Sequence, residues 1–379
     1  MIYMDNAATS FPKPEAVYRA VDYFNRNLGG SPGRGSHQST LKAGAVLLEC
    51  RELLARLFNI ADAAQIAFTA NITDAINIGL KGVLRPGDHI ITSSMEHNAV
   101  ARPLYGLSQE GVEWTRVPCR PDGSLDPAHI APAVKANTRM ICMLHASNLT
   151  GTILPIKDVG QIAHQYGLLF MVDSAQTAGV LPIDVEASHI DILTFTGHKS
   201  LLGPQGTGGI YVHPRVKLRL LREGGTGSAS ESLDQPTIMP DRLESGTPNT
   251  PGIAGLAAGL EFIFKTGMEN IRRHEQELTD LLIRELRNIP GLKIYGPGDS
   301  RLMTAVISFN IAGIDCGEVS LLLDQNYGII TRSGMHCAPL AHQTIGTAEL
   351  GACRISPGFF NTTDEVQKVI EALRHIART

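Results

Sequence analysis

The stretch RSGMHCAP, residues 332–339, sets a thiol, Cys337, beside His336, after Gly334 and just before Pro339. A structural cysteine usually sits in an apolar strand or helix, whereas glycine and proline here punctuate regular structure, so the thiol is placed for access. The thiolate is its reacting form, and a neighbouring cation such as His336 or a helix terminus would favour it. A second reactive type stands at position 199. The segment DILTFTGHKSLLGPQGTGGIYV, 191–212, ends an apolar run in Thr196, Gly197, His198 and Lys199, then turns through glycines into another apolar run. A lysine is ordinarily solvated. One that follows directly on a buried strand loses solvation, which lowers its pKa toward the range of a nucleophilic, Schiff-base amine.

A third group is Asp173 in FMVDSAQTAG, residues 170–179. An apolar run delivers it to a strand end, where burial without a partner would neutralise it, so a cationic partner is expected. Local sequence allows a plainer role, the N-cap of the next helix. Together the thiol, the amine and the buried carboxylate point to covalent chemistry on a small molecule.

These groups need a rigid frame, and the chain is long enough to supply one. Its 379 residues are 43% hydrophobic and 18% charged, enough for a large core and two packed regions. A formal charge of −4 and a pI near 6.4 leave no electrostatic footprint for nucleic acid or an anionic membrane surface. The start, MIYMDNAATS, lacks the basic and apolar regions of a secretory signal, and no apolar run is long enough to span a bilayer. Six cysteines without paired metal spacing or a dense disulfide pattern suit a reducing, cytoplasmic setting, with no metal site expected.

Residues 39–60 place apolar side chains at helical intervals. Thereafter short apolar runs alternate with helical stretches, at 65–69, 89–94, 112–117, 139–144, 168–172, 191–195 and 208–212. That alternation predicts an α/β fold with a mainly parallel seven-stranded sheet covered by helices. Helical segments follow, notably 268–288, then a strand at 304–311 and a terminal helix at 363–378. A large domain over 15–254 and a smaller α+β domain from 1–14 and 255–379 are expected, with 223–240, rich in Gly and Ser, as an exposed loop.

Taken in order, YMDNAAT, DSAQ, TGHKSLLGPQGTGG, LESGTPNT, RSGMHCAP and CRISPGFFNTTDEV resemble the cysteine desulfurases, in the class V branch of pyridoxal-phosphate enzymes with the aspartate aminotransferase fold. The likeness runs over nearly the whole chain. It implies that Lys199 carries pyridoxal 5'-phosphate as a Schiff base, that Asp173 pairs with the pyridinium nitrogen, and that Gln176 donates to the phenolate oxygen. The anion keeps the ring protonated and able to accept electrons. His97, in SSMEHNAV, matches the residue that stacks on the ring, although local sequence alone reads as a loop histidine or helix cap. Asn148, in HASNLTG, matches a residue at the phenolate side, and reads locally as a turn residue.

The phosphate would be held where FTANITDAIN enters a helix, by N-terminal amides and Thr73. Thr196 and His198 match further phosphate ligands, and Thr247 matches one supplied by a neighbouring subunit, which implies a homodimer. Asn71 and Ile72 depart from the common Gly-Thr, removing one hydroxyl. Arg354 matches the arginine that binds the substrate carboxylate through its planar fork. Arg332, Arg34 and His37 match positions lining the same pocket.

The resemblance implies that Cys337 takes sulfur from L-cysteine as a persulfide, releasing L-alanine, with an acceptor protein or thiol downstream. Iron–sulfur assembly, thiolation and selenium supply all fit that chemistry. Ser333 and Met335 replace the threonine and histidine common in the branch. A selenocysteine lyase acting on L-selenocysteine is the alternative on the same residues. An aminotransferase would leave Cys337 without a role, and a non-catalytic scaffold would have no need of Lys199, Asp173, Gln176 and Arg354 together.

Overall fold

The computed structural model describes residues 1–33, 35 and 37–378. Its strands are β1 (Ile2–Tyr3), β2 (Ile66–Thr69), β3 (His89–Ser93), β4 (Glu113–Val117), β5 (Thr138–Leu144), β6 (Leu169–Asp173), β7 (Ile192–Thr196), β8 (Gly208–Val212), β9 (Leu292–Tyr295), β10 (Ile307–Ile311), β11 (Ile329–Ile330), β12 (Arg332–Gly334) and β13 (Ala352–Ile355). Its α-helices are α1 (Glu15–Tyr23), α2 (Gln38–Phe58), α3 (Ile72–Val83), α4 (Asn98–Gln109), α5 (Ile156–Gln165), α6 (Thr250–Thr266), α7 (Met268–Leu286), α8 (Cys316–Tyr327), α9 (Pro339–Ile345) and α10 (Thr363–Ile376).

Each of the seven apolar runs read from the sequence is a strand of one sheet, ordered β2-β8-β7-β6-β5-β3-β4. Only β8 runs against its neighbours, β7 and β2, and the remaining pairs are parallel. Apart from the edge strand β4, where Glu113 and Arg116 are exposed, the runs lack a polar face because both faces are covered. Side chains alternate between them with the strand period of two. Ala67, Ile90, Met140, Cys142 and Ile210 pack beneath α3 and α4. Ile66, Phe68, Ile91, Ile141, Met143, Val172 and Phe195 pack against α2, α5 and α6.

A four-stranded antiparallel sheet, β12-β13-β10-β9, carries the C-terminal region. Phe309, Cys353 and Ile355 share its core with Leu282 of α7, Leu323 of α8 and Val369 and Leu373 of α10. The terminal helix starts where a capping box forms. Thr362 accepts from the Glu365 amide at 3.2 Å, and Glu365 accepts from the Thr362 amide at 3.0 Å. Strand β1 pairs in parallel with β11, so the chain's start joins its last third.

The expected division after residue 254 falls inside α6. Leu256, Leu260 and Ile263 of that helix join the core under the large sheet. An apolar helix of this kind carries no local mark of which sheet it serves. The strand expected over 304–311 begins at Ile307, because the amide of Thr304 donates to Gly151 on the large sheet's connections instead. Residues 223–240 form an irregular, largely exposed stretch.

Candidate active site

The parallel strands end on one side, and their carboxyl ends deliver the chemical groups. Asp173 closes β6 and Thr196 closes β7, with Lys199 three residues on. The turn after Asp173 passes close to the lysine loop at Gly179. A side chain there would lie 2.5 Å from the Ser200 carbonyl, and the φ of +93° suits glycine.

Asp173 is 4% exposed and accepts from the Ala175 amide at 2.9 Å. It has no ion-pair partner among the described residues. Burial raises its pKa, opposed by the Ala175 bond and by Lys199. No helix follows Asp173 before β7, so the Ala175 bond closes a turn and the N-cap reading does not apply; what remains is a buried acid that needs a cation to stay ionised.

Lys199 is partly buried, and burial, reinforced by Arg354, draws its amine down to about 8. The unprotonated amine is the nucleophile. In cofactor-free protein the rate of modification of Lys199 by an aldehyde reagent should rise through pH 8, whereas an ordinary lysine follows its usual value of 10.5. Peptide mapping after reductive trapping across pH 6–11 reads it, and a midpoint near 10.5 would contradict the buried setting.

His97 occupies the N-cap of α4, and its Nδ1 accepts from the Ala99 amide at 3.0 Å. An amide can only donate, so the neutral ring carries its proton on Nε2. Burial, then Lys199 and the arginines Arg332, Arg102 and Arg354, pull His97 down to about 4. The ring is neutral at physiological pH. Gln176 is 6% exposed, and its Nε2 donates to the Ala7 carbonyl at 3.1 Å, beside a small cavity lined also by Asn6 and Ser10.

Arg354, on β13, is 2% exposed and held on two sides. Its Nη1 donates to the Asn148 carbonyl at 3.0 Å, and its Nη2 pairs with Asp5. Arg332 stands directly opposite it on β12. Opposed residues of an antiparallel pair share a face, so two guanidinium groups repel there, and an anion between them would relieve the repulsion. Removing the counter-charge would strand Arg354 in the interior. Asp5→Ala should cost about 3–5 kcal/mol of stability, measured by urea unfolding of the cofactor-free protein. An unchanged midpoint would show that Asp5 does not compensate Arg354.

Cys337 is the exposed cysteine among the described residues, where the other five are buried or half-buried. It lies on a cleft of about 610 Å³ together with Thr73, His97 and Arg102. Its loop is pinned at two successive carbonyls. The Asn98 amide donates to the Cys337 carbonyl at 2.8 Å, and Asn148 Nδ2 donates to the His336 carbonyl at 2.8 Å. His336 and Cys337 both adopt left-handed backbone, φ +48° and +54°, a costly conformation for side-chain-bearing residues that clusters at functional sites. The cation role expected of His336 is not available. It is 5% exposed, stacks on His342, and burial together with Arg354 pulls it to about 3, so it is neutral. Lys81, Arg102 and Arg219 are the cations that line the cleft with the thiol.

At the helix α3 entrance Thr73 is exposed on the cleft, while Asn71 caps the helix by accepting from Asp74 at 3.0 Å and Ile72 opens it. The departure at Asn71 thus has a structural use. Thr196 Oγ1 and His198 Nδ1 are buried without a hydrogen-bond partner among the described residues. Burial, then Lys199 and Lys13, lower His198 to about 4. Thr247 is not brought to this cleft within the chain. It is exposed on a separate cavity with Thr69, Ala70 and Gly206. His37 is exposed and caps α2, accepting from Thr40 at 3.4 Å. Arg34 lies outside the described residues.

The arrangement can be set beside known proteins. The family model described as Aminotransferase class-V matches residues 2–369. A probable cysteine desulfurase of Methanothermobacter thermautotrophicus is 35% identical over 382 residues, spanning 99% of this chain and 94% of the relative. The chain belongs to the cysteine desulfurase family. A cysteine desulfurase of Escherichia coli (strain K12 / DH10B) is 36% identical over 395 residues, covering 100% of this chain and 94% of that one. Among solved structures, the apo cysteine desulfurase from Thermococcus onnurineus NA1 superposes with a TM-score of 0.94 at 31% identity, covering 100% of this chain and 94% of that one. The Escherichia coli cysteine desulfurase CsdA gives 0.89 at 29% identity, covering 99% and 94%. The fold is the type I fold of these desulfurases.

Two ionisable groups of this desulfurase-family site escape a local reading. Asp5 sits within YMDNAAT, but its partner is 349 residues away. Glu96, next to His97, is fully buried. Its Oε1 accepts from Ser93 Oγ at 2.5 Å and from the Leu144 amide at 3.3 Å. Burial lifts it to about 8, with the Ser93 bond opposing. It holds a proton at neutral pH, as an isolated buried carboxyl should.

Proposed function

We propose that the protein is a pyridoxal-phosphate-dependent cysteine desulfurase that converts L-cysteine to L-alanine and receives the sulfur on Cys337. The observation that carries the reading is the shared cleft, with an exposed, backbone-pinned thiol facing the same space as His97 and Thr73.

The residues present fit the cofactor. Thr196 Oγ1, His198 Nδ1, Asn148 Oδ1 and Arg354 Nε are buried and lack partners among the described residues, and such atoms are rarely left so. Lys199 would hold the cofactor through Nζ, Asp173 would face its ring nitrogen, and His97 would lie against the ring. Gln176 and Asn148 would serve the phenolate edge. Thr73, the backbone of Asn71 and Ile72, Thr196 and His198 would serve the phosphate, with Thr247 of a second subunit in a homodimer. Pyridoxal phosphate supplies an electron sink for the carbanion at the substrate Cα.

The chain's own groups do the rest. Arg354 and Arg332 orient the substrate carboxylate between them. Lys199 Nζ, drawn down to about 8, takes the Cα proton and can return it. The Cys337 thiolate attacks the substrate sulfur. A sulfur–sulfur bond forms, the bond from sulfur to substrate Cβ breaks, and its electron pair stays on carbon, where protonation completes alanine. The persulfide then passes to an acceptor protein or thiol, iron–sulfur assembly being one destination of such sulfur.

The division is proposed as a large unit of 15–254 extended by the rest of α6, which packs on the large sheet, and a smaller unit of 1–14 with the residues after that helix. Six free thiols suit a reducing cytoplasm. No helix among the described residues is long and apolar enough to cross a membrane.

The test is alanine formation by the cofactor-loaded protein from L-cysteine, with L-selenocysteine in parallel. Turnover of L-cysteine supports the reading. Consumption of L-selenocysteine alone would move it to a selenocysteine lyase.

A further inference from the structure

Lys13, in FPKPE, has no part in the chemistry above, yet it reaches the lysine loop. It is partly buried, and its Nζ donates to Ser10 Oγ and to the His198 carbonyl, both at 2.7 Å. The same carbonyl accepts from the Ser10 amide at 3.0 Å and from Thr9 Oγ1 at 3.1 Å. Ser10 Oγ in turn donates to the Lys199 carbonyl at 2.8 Å. The peptide that joins His198 to Lys199 is therefore clamped by a segment 185 residues earlier in the chain.

No carboxylate pairs with this ammonium among the described residues. Burial draws it down to about 8, so it is mostly charged at pH 7. A partly desolvated cation without a counter-ion costs stability, and a neutral donor would hold the same carbonyl more cheaply. The charge itself therefore needs a use. We propose that Lys13 is a positioning residue for Lys199, which fixes the lysine loop through the His198 carbonyl and, by its positive charge, favours the unprotonated nitrogen at Lys199.

The inference rests on the reading that Lys199 carries the cofactor. The charged or titratable groups that act on Lys199 are Asp173 from β6, Arg354 from β13, Arg332 from β12 and Asp5 from the N-terminal segment, with His97 at the start of α4 and His198 beside it, and Lys13 acts on His198. All of them stay in place when only Lys13 is changed.

The experiment is a pH titration of the absorption band of lysine-bound cofactor in the loaded wild type, Lys13→Met, Lys13→Gln, Lys13→Arg and Lys199→Ala, with thermal unfolding of each. Losing the charge in the Met and Gln variants should raise the titration midpoint by about one pH unit and lower kcat about tenfold with little change in KM. Lys13→Arg should restore most of both. An unmoved midpoint in the Met and Gln variants, whether or not they unfold earlier, would overturn the proposal and leave Lys13 a structural clamp. A Lys199→Ala protein that still shows the lysine-bound band would overturn the Lys199 reading and this inference with it. Loss of that band in Lys199→Ala, with unmoved Met and Gln midpoints, would sink the Lys13 inference alone.

Discussion

Replacing Lys199 by alanine should abolish alanine formation from L-cysteine, a loss of about 10⁴-fold or more. On the proposed reading the residue has two duties that no neighbour can assume. It would supply the amine that carries the cofactor and the base for the Cα proton. Of the other titratable groups nearby, His97 is neutral with Nδ1 committed to the Ala99 amide, and His198 is held near 4 by burial and cations. Glu96 is fully buried and protonated at neutral pH. Steady-state turnover with added pyridoxal phosphate measures the loss. Activity within tenfold of wild type would show that another group does the proton chemistry.

The second large effect is at the thiol. Cys337→Ala should lower L-cysteine turnover by at least about 10²-fold while leaving L-selenocysteine conversion the less affected of the two. The reason is geometric as well as chemical. Among the described residues the other cysteines are poor substitutes. Cys50, Cys142 and Cys353 are fully buried, with thiols pushed up by burial, and Cys316 donates to the Leu350 carbonyl. Cys119 is half-buried and raised to about 11 by burial. None offers a thiolate on the cleft. Parallel assays on the two substrates read the result, and equal losses on both would place Cys337 in general positioning instead of sulfur acceptance.

The large sheet was legible because its strands, apart from the edge strand β4, are buried on both faces and so read as apolar runs between helical stretches. Lys199 and Asp173 were legible for a related reason, since a polar group at the end of such a run has few places to go but the carboxyl edge of the sheet. Charge pairing was not legible. Arg354 reads as a carboxylate ligand, but its partners Asn148 and Asp5 lie 206 and 349 residues away in the chain. Neutrality was hidden too, because His336 beside a thiol suggests a cation until its burial against His342 is known. Helix α6 is apolar on most sides, and only packing shows that it serves the large sheet. His37 and Asn71 show the same limit in reverse, since both side chains are engaged as helix caps.

The central claim is that sulfur moves from substrate to Cys337, and mass spectrometry of the intact protein and its peptides after one exposure to L-cysteine tests it most directly. The cofactor-loaded enzyme, alkylated without reductant, should carry one added sulfur on the peptide that contains Cys337, and the Lys199→Ala protein should carry none. Alanine formed in stoichiometric amount with no added sulfur on Cys337, or with the sulfur on Cys119, would contradict the account.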